Sequence, residues 1–466
     1  MMPLPWCCIF LLWSLPSSRA VVPPRLADWM GDIQPLIGNL TLLDLSLPGT
    51  HDTLTYDLSS TVADNANDLP SWASFLLHTF HSIDGVIGDF IKQNAVTQEI
   101  NVTQQLNAGV RFLDLRTIYT SAPDSSLKKK DWYSLHMVES NQRSMFYFSA
   151  VAKFLQQHPT EVVVVMLTRH GCQQCTGDQQ YPGATNAEKQ SFWTQIKRVF
   201  QEYNVDFIPS GGPRRASVNT TSLSELITSN RRVLMYTGDY VNFTASDPLA
   251  WDAGKYLYNG GAGENVNNMK ASFAGWDSFY RSNAKQREKF KAANTFFLMS
   301  LAGSPPQQLV QVAGEIYLES KIGLPPSKSL LKKCADLVNI PNVSLTWCPS
   351  TLNEWERLRN FYSQVFLDRV VSEKYSKDYT PPGAIYLDVL GTHGEIRTDT
   401  IKKDKHAFGY VDTLLLWNVR RACGDGGGGG GGGACESIEA ALVERRAHFP
   451  MTRWDDEGTG RHSMWP

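Results

Sequence analysis

The run Glu161-Val-Val-Val-Val-Met-Leu-Thr-Arg169 constrains the fold more than any other stretch of the chain. Four consecutive valines leave no polar side, so a strand made from them is buried on both faces. Such a strand belongs in a parallel sheet covered by helices. The spacing predicts further strands at 42–48, 110–117, 133–138, 232–237, 295–301 and 384–390. Helices are predicted at 144–157, 186–203, 268–292, 351–374 and 409–420; in the fourth of these, Leu352, Trp355, Leu358, Phe361, Tyr362, Val365 and Phe366 recur at helical spacing. Strands alternating with helices, with polar residues gathered at strand ends, predict an α/β fold of the TIM-type (β/α) barrel class, irregular or incomplete. A doubly wound open sheet is the competing arrangement. No Gly-x-Gly-x-x-Gly follows the first strand, so dinucleotide binding has no support.

With 42% hydrophobic and 19% charged residues among 466, the chain can bury a substantial core. Its formal net charge of −2 favours neither nucleic acid nor an anionic membrane. Residues 1–20 read as a signal peptide, with an apolar core at Trp6–Leu15 and a small-x-small cleavage site at Ser18-Arg19-Ala20. Roughly ten apolar residues are too few to span a bilayer, which needs about 20. The expectation is a protein secreted or held in the secretory lumen, with the barrel over 21–422 and a C-terminal extension over 423–466. Sequons at Asn39, Asn101, Asn219, Asn242 and Asn342 predict a glycoprotein. Loss of Cys7 and Cys8 with the signal leaves an even set of cysteines, suited to an oxidising compartment. The simplest pairing is local, Cys172/Cys175, Cys334/Cys348 and Cys423/Cys435, though other connectivities exist. A zinc site at Cys172 and Cys175 lacks a second pair at ligand spacing.

Two regions stand apart. Residues 62–97 carry Trp72, Phe75, Leu76, Leu77, Phe80, Val86, Ile87 and Phe90, which read either as a helix packed on the barrel or as a lid touching lipid. Gly426 to Gly433 form eight consecutive glycines, read as a flexible loop without regular structure.

The chemistry gathers at strand ends. Leu47-Pro-Gly-Thr-His51-Asp52-Thr sets an imidazole beside a carboxylate, Val110 to Arg116 ends on a cation, and Tyr133-Ser-Leu-His136 carries a second imidazole. Asp114 and Arg116, two apart on one strand, share a face. Asp388 places a carboxylate in an otherwise apolar strand, where a histidine is its natural partner. Cleaving a phosphodiester with an internal hydroxyl needs a base, an acid and a cation for the phosphate. Histidine serves both proton transfers, and the arginine fork matches phosphate oxygens.

These segments resemble the X domain of phosphatidylinositol-specific phospholipase C, in its calcium-independent branch. The resemblance runs through Leu-Pro-Gly-Thr-His51-Asp52-Thr, Gln104-Gln-Leu-Asn-Ala-Gly-Val-Arg-Phe-Leu-Asp-Leu-Arg116, Leu135-His136, Glu161-Val-Val-Val-Val-Met-Leu, Thr295-Phe-Phe-Leu-Met-Ser-Leu and Tyr410-Val-Asp-Thr-Leu-Leu-Leu-Trp-Asn418. It implies His51 as general base on an inositol hydroxyl and His136 as general acid on the glycerol oxygen. Arg116 would hold the phosphate, Asp52 would support it through His136, and Asp388 would orient His51. Arginine stands where the calcium-dependent branch has an acid, so no metal and no cofactor are expected, with Asp114 in support. Arg169, His170, Tyr236 and Asp239 are the expected headgroup contacts. The implied partner is phosphatidylinositol or a glycosyl-phosphatidylinositol, met by transient contact with a membrane surface; nothing fixes the oligomeric state. The alternatives are a glycerophosphodiester phosphodiesterase, whose metal site needs Glu-x-Asp and His-Arg-Gly, and a non-catalytic lipid- or glycan-binding barrel.

Overall fold

The computed structural model describes residues 24–62, 84–123, 129–168, 184–211, 217–237, 247–260, 287–303, 327–338, 382–388, 407–423 and 432–447, with a few isolated residues between 275 and 367. The valine run forms β5 (Val163–Thr168), paired in parallel on one side with β2 (Phe112–Ser121) and on the other with β7 (Arg231–Thr237). Val162 to Val165 are fully buried, as an unbroken apolar run requires. Beyond β2 lies β1 (Leu47–Thr50), then β11 (Ala384–Leu387), β10 (Phe296–Ser300) and β9 (Leu257–Gly260), all parallel. The short strands β6 (Asp206–Phe207) and β8 (Trp251–Asp252) share the far edge of β7.

This order separates the two predicted architectures. The first strand lies against the last, and sequence order runs away from that seam in both directions, which is the cyclic order of a barrel. A doubly wound sheet would set the first strand in its interior and the last at an edge. Among the described residues, β8 and β9 do not pair, so the barrel is irregular and open there.

Helices cover the sheet where helical spacing places them. They include α1 (Asp84–Gln93), α2 (Val102–Asn107), α3 (Ser144–Gln157), α4 (Asn186–Glu202), α5 (Leu223–Thr228), α6 (Arg287–Ala292), α7 (Lys328–Val338), α8 (Ala407–Cys423) and α9 (Gly432–Ala447). On α3 the buried residues Tyr147, Phe148, Val151, Ala152, Phe154 and Leu155 form one stripe. Thr185 caps α4 by accepting from the Glu188 N–H while the Glu188 carboxylate accepts from the Thr185 N–H. Most of the predicted helices at 351–374 and 268–292 lies outside the described residues; within the first, Trp355, Glu356, Ser363, Phe366 and Leu367 are helical and buried, as the spacing requires.

Three expectations need correction. The predicted strand at 42–48 begins only at Leu47; Leu42–Asp44 is a 3-10 turn, because Thr41 and Asp44 close a capping box that outcompetes the apolar pattern. The predicted strand at 133–138 is not a barrel strand. It forms an antiparallel hairpin, β3 (Lys130–His136) with β4 (Val138–Arg143), built on the outer half of β2 and reversed at Met137. The glycine run is not wholly irregular, since Gly432 and Gly433 enter the first turn of α9; the glycines before them lie outside the described residues. In the region at 62–97, α1 turns Phe90 and Ile91 into the interior, the packed-helix alternative for that part. Trp72, Phe75, Leu76, Leu77 and Phe80 lie outside the described residues.

The seam between β1 and β11 positions the site. The Tyr410 hydroxyl, on α8, accepts from the Gly49 N–H at 3.0 Å and donates to the Ile385 carbonyl, bridging the strands. Asn418, on the same helix, accepts from the Ser46 N–H at 2.7 Å and donates to its carbonyl at 3.0 Å. Gly49 is required where it stands: an added Cβ would lie 3.0 Å from the Ile385 carbonyl oxygen, 3.0 Å from the Tyr386 Cβ and 3.1 Å from the Phe112 Cβ. None of these atoms is the free end of a flexible side chain. Gly49→Ala should therefore destabilise the chain by about 1–3 kcal/mol, read as a lower urea midpoint. A wild-type midpoint would mean the seam is not tightly packed.

Candidate active site

His51 follows directly on β1, one residue past the paired Thr50 and Leu387, so it lies level with Asp388 at the end of β11. Its Nδ1 is 2.8 Å from Asp388 Oδ1. The ring stacks on Tyr386, with centroids 5.1 Å apart and planes 5° from parallel. Asp52 then takes a left-handed conformation, φ 46°, which turns the chain out of the strand and aims its carboxylate back into the mouth. Met137, after His136, does likewise with φ 62°. Each imidazole thus precedes a residue whose backbone conformation side chains disfavour by roughly 1–2 kcal/mol.

Arg116 lies at the centre. Its Nε is 2.6 Å from Asp52 Oδ1 and 3.0 Å from Asp114 Oδ2, and its Nη2 is 2.7 Å from His51 Nε2. Asp114 also accepts from the Asp52 backbone N–H at 3.2 Å. Burial works against the charged guanidinium, but Asp114 and Asp52 outweigh it and hold the group far above its ordinary value. His136 approaches from the hairpin. Its Nδ1 donates to the Ala95 carbonyl at 2.5 Å, which leaves Nε2 facing Asp52 Oδ2 at 3.5 Å. Asp52 Oδ2 is also 3.5 Å from His51 Nδ1, so one carboxylate serves both rings and the cation.

The surroundings of His51 make opposite demands. A guanidinium N–H at 2.7 Å needs a lone pair on Nε2, so in this arrangement the ring is neutral with its proton on Nδ1, toward Asp388. Burial also disfavours the charged ring, yet Asp52 and Asp388 outweigh burial and Arg116 and raise it to about 9. Both hold if Arg116 leaves Nε2 as the ring takes its second proton. Burial pushes the Asp388 carboxyl up as well, against the opposing pull of the His51 charge beside it.

One imidazole nitrogen and carboxylate oxygens of Asp52 and Asp114 lie within 4.8 Å of one another, a spacing that suits a metal ion. Arg116 is hydrogen-bonded to His51 and Asp114 and ion-paired with Asp52, so a fixed cation already neutralises that cluster. The arrangement can hold an anionic phosphate at Arg116, take a proton at His51 and deliver one from His136.

All five residues expected at the centre are brought together, with Asp52 closer to Arg116 than to His136. His136 arrives on a hairpin turn and not, as expected, at the end of a barrel strand. Tyr236 lies inside β7, fully buried between Trp251 and Phe296, with its hydroxyl unpartnered among the described residues and burial raising its pKa. Arg169, His170 and Asp239 lie outside the described residues. The Cys423–Cys435 disulfide is formed and Cys334 is disulfide-bonded; Cys172, Cys175 and Cys348 lie outside the described residues. Of the sequons, Asn39 and Asn101 are exposed, Asn219 is half-buried, and Asn242 and Asn342 fall outside the described residues. Two neighbours of His51 went unnoticed in the sequence. Tyr386 was findable from its place two residues before Asp388, on the same face. Gln98 lies in no strand or helix and carries no periodic signal.

Residues 85–271 match the PI-PLC X 1 family model. Across those residues the chain is similar to a PI-PLC X domain. The match takes in Arg116 and His136, while His51, Asp52 and Asp388 join them through the seam. PI-PLC X domain-containing protein 1 of Mus musculus is 36% identical over 140 residues, covering 30% of this chain and 38% of that protein. The Homo sapiens protein of the same name is 31% identical over 139 residues, covering 30% and 40%. The chain thus spans about two fifths of the length of these curated relatives. Among solved structures, a phosphatidylinositol-specific phospholipase C from Listeria monocytogenes aligns at 17% identity and TM-score 0.44, over 84% of this chain and 98% of its own. The S. aureus phosphatidylinositol-specific phospholipase C aligns at 13% identity and TM-score 0.46, over 84% and 97%.

If the carboxylates govern His51, its NMR titration midpoint should lie well above the ordinary 6.5, toward 9. Asp388→Asn should move it down by removing one of the charges that favour the imidazolium. A wild-type midpoint at or below 6.5 would refute this electrostatic account.

Proposed function

We propose that this chain is a PI-PLC X-type, metal-independent phosphodiesterase that cleaves phosphatidylinositol, or a glycosyl-phosphatidylinositol, to diacylglycerol and a cyclic inositol phosphate. The observation that carries the reading is Arg116, a fixed cation hydrogen-bonded to His51 Nε2 and Asp114 and ion-paired with Asp52. A phosphate entering the mouth competes for that guanidinium and draws it from His51. The freed Nε2 takes the proton of the attacking inositol hydroxyl while Asp388 steadies the imidazolium through Nδ1. His136, oriented by the Ala95 carbonyl, protonates the departing glycerol oxygen from Nε2. Attack by the ring hydroxyl closes the cyclic phosphate as the bond to glycerol breaks, so the proton taken by one imidazole is matched by that given by the other. Arg116 and the protonated rings offset the charge growing on the phosphate.

Arg116 also weighs against a metal-dependent glycerophosphodiester phosphodiesterase, because a divalent ion among the same carboxylates would meet a bonded guanidinium. Tyr236, whose buried hydroxyl is unpartnered among the described residues, and Arg169, His170 and Asp239 are proposed as the headgroup contacts. Residency in the secretory pathway is supported by the Cys423–Cys435 disulfide, a bond that persists in oxidising compartments, and by exposed acceptors at Asn39 and Asn101.

The test incubates purified protein with phosphatidylinositol vesicles in EDTA and follows the products by phosphorus NMR. Cyclic inositol phosphate should form at the same rate with and without chelator, and His51→Ala should lower kcat by about 10²–10⁴-fold. Activity lost to EDTA would overturn metal independence, and turnover surviving in His51→Ala would overturn the base assignment. A parallel arm with a glycosyl-phosphatidylinositol-anchored protein on vesicles separates the two lipids.

A further inference from the structure

We infer that Gln98 is a positioning residue for the His51–Asp388 pair, and that the segment from Ala95 to Gln98 sets the span between the two imidazoles. The inference rests on the reading of that pair as the proton acceptor in phosphodiester cleavage.

Gln98 is fully buried, in the stretch that leads from α1 to α2. Its side-chain Nε2 donates to the His51 carbonyl at 2.9 Å and to the Leu387 carbonyl at 3.1 Å. The first carbonyl belongs to the base itself, and the second to the residue immediately before Asp388. The parallel ladder runs out at Thr50 and Leu387, with a last backbone bond from the His51 N–H to the Leu387 carbonyl. Beyond that point one planar amide spans the two chains, and its two N–H bonds diverge at a fixed angle that sets their separation. The segment is itself anchored. The backbone N–H groups of Thr97 and Gln98 both reach Thr55 Oγ1 at 3.0 Å, and Thr55 donates to the Asp52 carbonyl at 3.0 Å. Three residues earlier, the Ala95 carbonyl receives His136 Nδ1. Within four residues the segment thus touches the ring of one imidazole, through Ala95, and the chain of the other, through Gln98.

Gln105 supplies a matched control. It too is fully buried, and its amide also donates to two carbonyls, Thr53 at 2.9 Å and Ile100 at 2.8 Å, but it bonds to neither histidine. Gln98→Met keeps length and volume while removing both donors. It should lower kcat on phosphatidylinositol about 10- to 100-fold with KM within about twofold, the cost of a slightly misplaced base. It should also make the downfield Nδ1–H proton of His51, seen by NMR, exchange faster with solvent. Gln105→Met should cost similar thermal stability yet leave kcat and that resonance unchanged. If Gln98→Met folds poorly, Gln98→Asn keeps an amide one methylene too short to span both carbonyls, and it should show the same pattern. An unchanged His51 resonance in the Gln98 variants, or an equal change in Gln105→Met, overturns the inference. If the wild-type protein cleaves no inositol phosphodiester, the functional reading falls, and the resonance still decides whether Gln98 sets the pair.

Discussion

The parallel pairing of the first strand with the last is the contact on which the site depends. His51 and Asp388 are 337 positions apart in the chain and 2.8 Å apart in space, and no local structure could bring them together. The seam is correspondingly well secured. Gly49 permits close approach, Tyr410 and Asn418 lock it from the helix behind, and Gln98 spans it at the mouth. Each of these hydrogen bonds contributes only about 0.5–1.5 kcal/mol net. Leaving one of these buried carbonyls or N–H groups unpaired costs more, so the seam holds as a unit.

The mouth gathers three buried carboxylates, two imidazoles and one guanidinium. Such a cluster is tolerable only if its charges are paired, since an isolated buried carboxylate would protonate instead. Arg116 satisfies that requirement by touching Asp52, Asp114 and His51 together. The surplus of negative charge falls on His51, which is why its pKa rises despite burial. An arriving phosphate adds a further negative charge, which only Arg116 and protonated imidazoles can offset. Structural need and the proposed chemistry therefore converge on one side chain.

Much of this was legible in the sequence, for identifiable reasons. The valine run announced a parallel sheet because a strand buried on both faces has no room for polar residues. The pairs His51-Asp52 and Asp114-x-Arg116 announced a site because charged groups at the ends of apolar runs need partners. The hairpin that carries His136 was not legible. A strand end reads the same whether its partner is parallel or antiparallel, and the reversal depends on a left-handed Met137, a residue with no turn propensity to signal it. The turn at Leu42–Asp44 was lost because apolar spacing masked a capping pair. Gln98 stayed hidden because a buried amide between two carbonyls leaves no pattern along the chain.

The two imidazoles are held by chemically different partners, and that difference separates their proposed roles. Asp388 gives His51 Nδ1 a full negative charge, which stabilises the imidazolium formed when Nε2 takes a proton. The Ala95 carbonyl fixes the same nitrogen of His136 through a dipole, orienting the ring without adding a second full charge behind it. The first arrangement suits a ring that must acquire a proton, and the second suits one that must surrender it. Asp52 adds to the difference: at 3.5 Å it stands beside Nδ1 of His51, on the same side as Asp388, but beside Nε2 of His136. What stands behind each Nδ1 therefore differs in charge: two carboxylates, one from the far end of the chain, for His51, and a carbonyl from the segment before α2 for His136.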